Sequence, residues 1–387
     1  MGYIALGDLI SKAQVEKCGK REYPVLSMTM HDGIVFQNDR FKKDIASIDR
    51  SNYSVVGFNQ LVVSFPIDEG VLAVQDITDA GIVSPAYKIW DIDQAKLVPK
   101  YLEMWLRSPR SIDYYKAKLR GTTARRRSIP EEDFLGMRVN VLPMEEQERI
   151  VDLITRVNGV ILLRKQQLSA LDDLIKARFV EMFGDPVANT LEWKTALLRE
   201  VTSKIGSGAT PRGGKESYQA EGITLIRSMN VHDGRFEYKD LAHITDEQAA
   251  QLNNVSVEEG DVFINITGAS VARSCIVSKD TLPARVNQHV AIIRCVRNLL
   301  NPTFANNMFL NDRFKEQLLD IGESGGATRQ AITKQQLEGL TVILPPMNQQ
   351  EEFAAFVAQI DKSKSVIQKS LDETQLLFDS LMQQYFG

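Results

Sequence analysis

The side chains of this 387-residue sequence that are placed to do chemistry are polar and basic, in stretches that read as loops. In the second half they are Thr210, Arg212, Lys215, Arg227, Asn230, Arg273 and Gln288, and in the first Lys88, Arg125, Arg126 and Arg127. Arg and Lys suit phosphates and guanine edges, whereas Asn and Gln suit adenine edges. The chemistry they fit is contact with nucleic acid, not the making of bonds. A surface or structural role competes at each position, and Arg126, which matches Arg329 in a repeat, also fits a shared scaffold.

Residues 107–127 concentrate this charge. Arg107, Arg110, Lys116, Lys118, Arg120, Arg125, Arg126 and Arg127 face a single Asp113, a local excess of seven. A phosphate-binding strip fits that excess, and so does a solvated helix face followed by a loop. The whole chain carries −4, awkward for a partner of phosphates. Its acidity lies in two places: residues 144–186 hold six basic and eight acidic side chains, and residues 347–387 hold three and six. The rest of the chain is close to neutral.

Bond-making motifs fail on inspection. The run Ala209-Thr210-Pro211-Arg212-Gly213-Gly214-Lys215 falls short of a phosphate loop, which needs Gly where Ala209 stands and Ser or Thr where Glu216 stands. Asn301-Pro302-Thr303-Phe304 resembles the Asn-Pro-Pro-Tyr/Phe loop of adenine methyltransferases. However, its repeat copy is Val98-Pro99-Lys100-Tyr101, and proline at a helix start accounts for both. His31, His232, His243 and His289 have no metal-ligand spacing. His31 and His232 precede Asp-Gly, which suggests turns, and for His289 a core or loop hydrogen bond outweighs a base contact. Cys18, Cys275 and Cys295 are odd in number and widely spaced, as in a chain from a reducing compartment. With no signal-peptide pattern and no apolar run near the ~18 residues of a membrane span, a cytoplasmic location and no membrane partner are expected.

The elements that must position these residues are written twice. Residues 124–148 (ARRRSIPEEDFLGMRVNVLPMEEQE) and 327–351 (ATRQAITKQQLEGLTVILPPMNQQE) align at a constant offset of 203, and Phe183-Gly184 still aligns with Phe386-Gly387. Upstream, Met28–Gly33 matches Met229–Gly234 at offset 201 and Leu6–Lys12 matches Leu198–Lys204 at 192. The reading is two globular units, each followed by a helix: 1–143, 144–190, 191–346 and 347–387.

After Pro143, apolar residues recur at Ile150, Ile154, Val157, Ile161, Leu168, Leu171, Ile175 and Met182, broken by Arg164 and Arg178. The second copy gives Phe353, Val357, Ile360, Ile367, Leu371, Phe378, Leu381 and Tyr385, broken by Lys364 and Thr374. This is coiled-coil periodicity, and two such stripes in one chain most simply bury each other. Gly184 followed by Pro186 predicts the end of the first helix. The globular units read as α/β, mixed α+β. Val62–Phe65 and Val262–Asn265 read as strands, and residues 99–119 and 302–321 as helices.

Several strings resemble the type I restriction–modification specificity (S) subunits. They are GSGATPRGGKESY (206–218), ITLIRSMNV (223–231), GDVFINITGASVAR (260–273), RVNQHVAIIR (285–294) and GGATRQAITKQQLEGLTVILPP (325–346) in the second unit. In the first they are VSPAYKIW (83–90), GTTARRRSI (121–129) and VLPMEEQERIV (141–151). The resemblance spans the chain, although the first unit lacks the Gly-Ala-Thr-Pro string. It implies an internally duplicated, pseudo-twofold molecule: two target recognition domains on long antiparallel coiled-coil helices, each reading half of a bipartite, asymmetric site in double-stranded DNA. The implied partners are two modification (methyltransferase) subunits docked on the helices, with restriction (motor/nuclease) subunits as an optional addition. The chain would be non-catalytic, with AdoMet, ATP and Mg belonging to its partners and no metal of its own. Two rivals are a single-chain methyltransferase or nuclease, which AdoMet binding by the isolated chain would reveal, and an adaptor without DNA, which would give complexes no sequence preference.

Overall fold

The computed structural model describes residues 2–30, 32–40, 49–119, 129–211, 213–323 and 330–387. Of the residues singled out above, His31, Arg120, Arg125, Arg126, Arg127, Arg212 and Arg329 lie outside them. The chain forms two compact units, one of Met1–Lys165 with Lys369–Gly387, the other of Gln166–Gln368. Each unit includes part of both long helices, Met144–Phe183 and Met347–Phe386.

The first unit is built on a four-stranded antiparallel sheet in the order Ile10–Lys12, Lys88–Ile92, Leu61–Val63, Leu72–Val74. The second unit repeats it as Thr202–Ser207, Val290–Cys295, Val262–Asn265, Ser274–Ile276. The registers correspond pair by pair: Leu61 faces Trp90 as Val262 faces Ile293, and Val63 faces Lys88 as Ile264 faces Ala291. The first strand keeps offset 192 up to Thr202, where a bulge before Lys204 raises it to 193. One extra residue, Ser203, is absorbed there without moving the rest of the ladder. A short antiparallel pair closes each unit onto its long helix, Gly2–Ala5 with Arg138–Val141 and Thr195–Leu197 with Thr341–Ile343. Both Asp-Gly sites are turns, with Gly33 and Gly234 at positive φ as a side chain would disfavour.

Each single helix expected after the sheet is two. Pro99–Leu106 stops before Ser108-Pro109, and Pro109 opens Pro109–Lys118 with the Ser108 hydroxyl accepting from Ser111 N. In the second unit Asn311 separates Pro302–Leu310 from Asp312–Glu323, its side-chain oxygen accepting from Arg313 N and Phe314 N. Pro99 and Pro302 occupy first-turn positions, the role expected of them. The first-unit strand is Leu61–Val63, ending short of Phe65, while Val262–Asn265 is a strand throughout.

Within each unit the start of one long helix packs with the end of the other. Ile150 and Ile154 share a core with Phe378, Leu381 and Tyr385 in the first unit. In the second, Ile175, Phe179 and Phe183 share one with Phe353, Val357 and Ile360. Of the expected seam, Ile150, Ile154, Ile161, Phe353, Val357 and Leu371 are buried. Val157, Leu168, Leu171, Ile360, Ile367 and Phe378 are half-buried. Two of the seam's interruptions are bridged across the helices of the second unit: Lys364 pairs with Asp172 at 2.5 Å, and Arg178 with Glu352 at 3.1 Å.

The end of each helix closes a core. Phe386 is fully buried against Tyr101 and Trp105, with ring centroids at 5.4 and 6.0 Å. Phe183 is likewise buried against Phe304 and Phe353, at 4.8 and 5.6 Å. Gly184 then ends its helix in the left-handed region, where a Cβ would lie 2.4 Å from the Thr190 hydroxyl.

Candidate nucleic-acid interface

In the second unit five loops converge at one end of the sheet. Gly208 N donates to Asn287 O (3.1 Å) and Asn287 N to Ile226 O (3.0 Å), joining the ends of three strands. Gly208 is dictated by this contact, since a Cβ there would stand 1.8 Å from the Val286 carbonyl oxygen. Ile266 N donates to His289 O, Gly268 N to Gln330 O and Ile332 N to Ile266 O, at 2.9, 3.0 and 2.8 Å. The loops bound a cleft of about 600 Å³ whose wall includes Ser228, Thr267, Ser270, Arg273 and His289.

Polar side chains at this rim are bonded to each other. The Thr210 hydroxyl donates to Gln288 Oε1, Gln288 Nε2 lies 3.1 Å from His289 Nε2, and His289 Nδ1 lies 2.5 Å from Thr267 Oγ1. Gln288 is exposed and Thr210 and His289 are half-buried. Arg273 is half-buried at the cleft wall and has no side-chain partner among the described residues.

The remaining expected contacts in this unit divide. Arg227 is committed to its own chain, its guanidinium 5.5 Å from the Tyr218 ring centre and donating to Asp240 O. Lys215 lies in a short turn, Gly214–Ser217. Asn230 needs correction: its side chain is completely buried, with Nδ2 donating to Glu237 O and Lys239 O while Oδ1 accepts from Arg227 N. It shapes the 227–230 loop from inside and presents nothing to a ligand. Thr267 carried no sequence signal, and His289 enters through its bonds to Gln288 and Thr267.

In the first unit Lys88 is exposed and pairs with Glu131 at 2.9 Å, and this contact holds the Glu131 carboxyl below its usual range. The ion pair rims a small apolar pocket of about 40 Å³ lined by Val63, Phe65, Ile67, Trp90 and Phe134. The described part of the 107–127 strip is largely spoken for. Arg107 bonds Glu103, which is buried, and Met30 O; Arg110 lies over Tyr3; Lys116 and Lys118 pair with Asp113 and Asp133. At the tip matching Asn287-Gln288-His289, the first unit has Ser84-Pro85-Ala86.

No helix among the described residues is long and apolar enough to cross a membrane. Residues 190–374 match the type I restriction modification DNA specificity domain. The chain is 28% identical over 177 residues to the type I restriction enzyme EcoAI specificity subunit of Escherichia coli, covering 43% of this chain and 29% of that protein. It is 22% identical over 301 residues to a putative type I restriction enzyme MjaX specificity subunit of Methanocaldococcus jannaschii, covering 72% and 65%. These matches span less than two thirds of the relatives' own lengths. Two solved structures share the fold nearly end to end. One is the type I restriction–modification S subunit from M. genitalium, with TM-score 0.58, 14% identity and 100% and 96% coverage of this and that chain. The other is a chain from a structure of the type I R-M system, with TM-score 0.53, 18% identity and 99% and 97% coverage. The chain is therefore similar to type I restriction–modification specificity subunits, sharing its fold with the two solved structures and matching the DNA specificity domain over residues 190–374.

Proposed function

We propose that this chain directs a type I restriction–modification complex to its DNA, each unit reading one half of a bipartite, asymmetric site. The observation that carries this reading is one scaffold with two different tips. The sheet order and registers repeat, yet the loop that presents Gln288 and His289 in one unit presents Pro85 and Ala86 in the other. A duplicated frame with unlike contact residues suits two unlike half-sites. The long helices serve as the spacer between readers and as the docking surface for two methyltransferase subunits, with restriction subunits as a further partner. The chain itself makes and breaks no bonds; AdoMet, ATP and Mg are held by the partners, and the assembly works in the cytoplasm.

With a net charge of −4, the isolated chain binds DNA weakly. Most phosphate neutralisation falls to the partner subunits. The test exchanges residues 191–346 for the matching domain of a relative and maps methylated sites in cells carrying the chimera with its methyltransferase. One half-site changes and the other stays. Simultaneous change of both would reject the two-reader assignment, and steady methyl transfer by the purified chain with AdoMet alone would reject its non-catalytic role.

A further inference from the structure

The bonds linking Thr210, Gln288, His289 and Thr267 hold the plane of the Gln288 amide. An amide nitrogen can only donate, so the 3.1 Å contact between Gln288 Nε2 and His289 Nε2 makes the imidazole nitrogen the acceptor. The imidazole proton then sits on Nδ1, where it donates to Thr267 Oγ1. At the other end the Thr210 hydroxyl donates to Gln288 Oε1, the one atom of that amide able to accept. Turning the amide over only exchanges the roles, since the Thr210 hydroxyl can accept, the imidazole proton can move to Nε2 and the Thr267 hydroxyl can then donate to Nδ1. In either arrangement His289 and Thr210 together hold the amide by both of its polar atoms.

In either orientation exposed Gln288 keeps one N–H and one carbonyl lone pair unused. A neighbouring donor and acceptor match the N7 acceptor and N6 amino donor that adenine shows in the major groove. Guanine shows two acceptors, N7 and O6, and leaves the carbonyl unpaired. Resting on the proposed DNA-reading role, we propose that Gln288 reads one adenine in the half-site of the second unit and that His289 is the positioning residue that sets its amide. The first unit, with Pro85 and Ala86 at the matching tip, has no such device, so the effect is confined to one half-site.

The experiment expresses the full chain with its methyltransferase partner and maps methylated sites for the wild type and for Gln288→Ala, His289→Asn and His289→Gln. The wild-type map is read first: no sequence preference would overturn the reading of the chain, and this inference with it. Given a bipartite motif, Gln288→Ala lowers discrimination at one adenine position by roughly 5- to 150-fold, the range of a lost bidentate contact, and leaves the other half-site intact. Asparagine places its amide near Nδ1 and keeps the Thr267 contact only, so His289→Asn loosens the same position. Glutamine carries a carbonyl oxygen out to the Nε2 position, so His289→Gln restores selectivity there. The proposal is overturned if Gln288→Ala leaves every position unchanged, if the His289 variants act elsewhere in the motif, or if glutamine serves no better than asparagine.

Discussion

Gln147 and Gln350 make the same three hydrogen bonds at the feet of the two long helices. Gln147 accepts from Val98 N at 2.9 Å and donates to Lys96 O and Leu142 O at 2.9 and 2.8 Å. Gln350 accepts from Asn301 N at 2.9 Å and donates to Leu299 O and Pro345 O at 3.3 and 2.8 Å. Both are buried. Each ties the first turn of its helix to the loop that opens the helix Pro99–Leu106 or Pro302–Leu310.

Leucine at either position fills the space and abandons one backbone N–H and two carbonyls. Gln147→Leu and Gln350→Leu each lower stability by ~1–3 kcal/mol, the cost of buried groups left without partners. Hydrogen exchange localises the loss: the Val98 amide loses protection in the first variant and the Asn301 amide in the second. Unchanged protection in both would remove these glutamines from the scaffold.

Phe183 and Phe386 are matched in the same way, each ending a long helix and closing a core of aromatic rings met edge-on or at a tilt. Phe386→Ala opens a cavity beside Tyr101 and Trp105 and costs ~3–5 kcal/mol, although it is next to the last residue. Exchange rates rise across Pro99–Leu106 and stay as they were in Pro302–Leu310. Phe183→Ala gives the opposite pattern. A residue that frayed in solution would show neither.

The sequence made the frame legible through repetition. Matching at a fixed offset located both helix starts, and the seam could be read because apolar spacing on a long helix has no competing explanation. The rim of the candidate interface was less visible, since its polar residues look alike until partners are known. Asn230 and Gln288 are both amides in loops, yet one is sealed under the 227–230 turn and the other is exposed. Arg107 and Arg110 added to a basic strip on paper but are spent on Glu103 and on the Tyr3 ring. Phe179 escaped notice because its repeat partner is Met382: the copies fill the same space with different volumes, and periodicity alone does not distinguish them.

Burial pushes the thiols of Cys275 and Cys295 up to about 12. At pH 8 this cuts the reactive thiolate about a thousandfold relative to a free cysteine, so neither is alkylated until the chain unfolds. The same shift bears on stability. The folded pKa is raised, so its contribution is complete below about pH 9. It is lost as pH rises toward 12, where the unfolded chain gives up protons that the folded one retains. Denaturation midpoints therefore decline above pH 9 in the wild type and decline less in a Cys275→Ala, Cys295→Ala double variant. Fast alkylation of the native chain would contradict this.

The proposed spacer role of the helices makes the length of Met144–Phe183 and Met347–Phe386 a determinant of the recognised site. A heptad added to both, near Ile161 and near Lys364, preserves the seam because seven residues return each apolar position to the same face. At ~1.5 Å per residue the addition lengthens each helix by ~10 Å, the rise of about three base pairs at ~3.4 Å each. The spacer between half-sites should grow by a few base pairs while both half-sites keep their sequences. Three base pairs also turn the duplex by about 100°, since ~10.5 make a full turn, so activity falls unless the DNA twists to bring the second half-site back to its reader. Methylated sites mapped in cells carrying the variant give the spacer directly. An active variant that retained the original spacer would show that the distance is set elsewhere, by the partner subunits that hold the DNA.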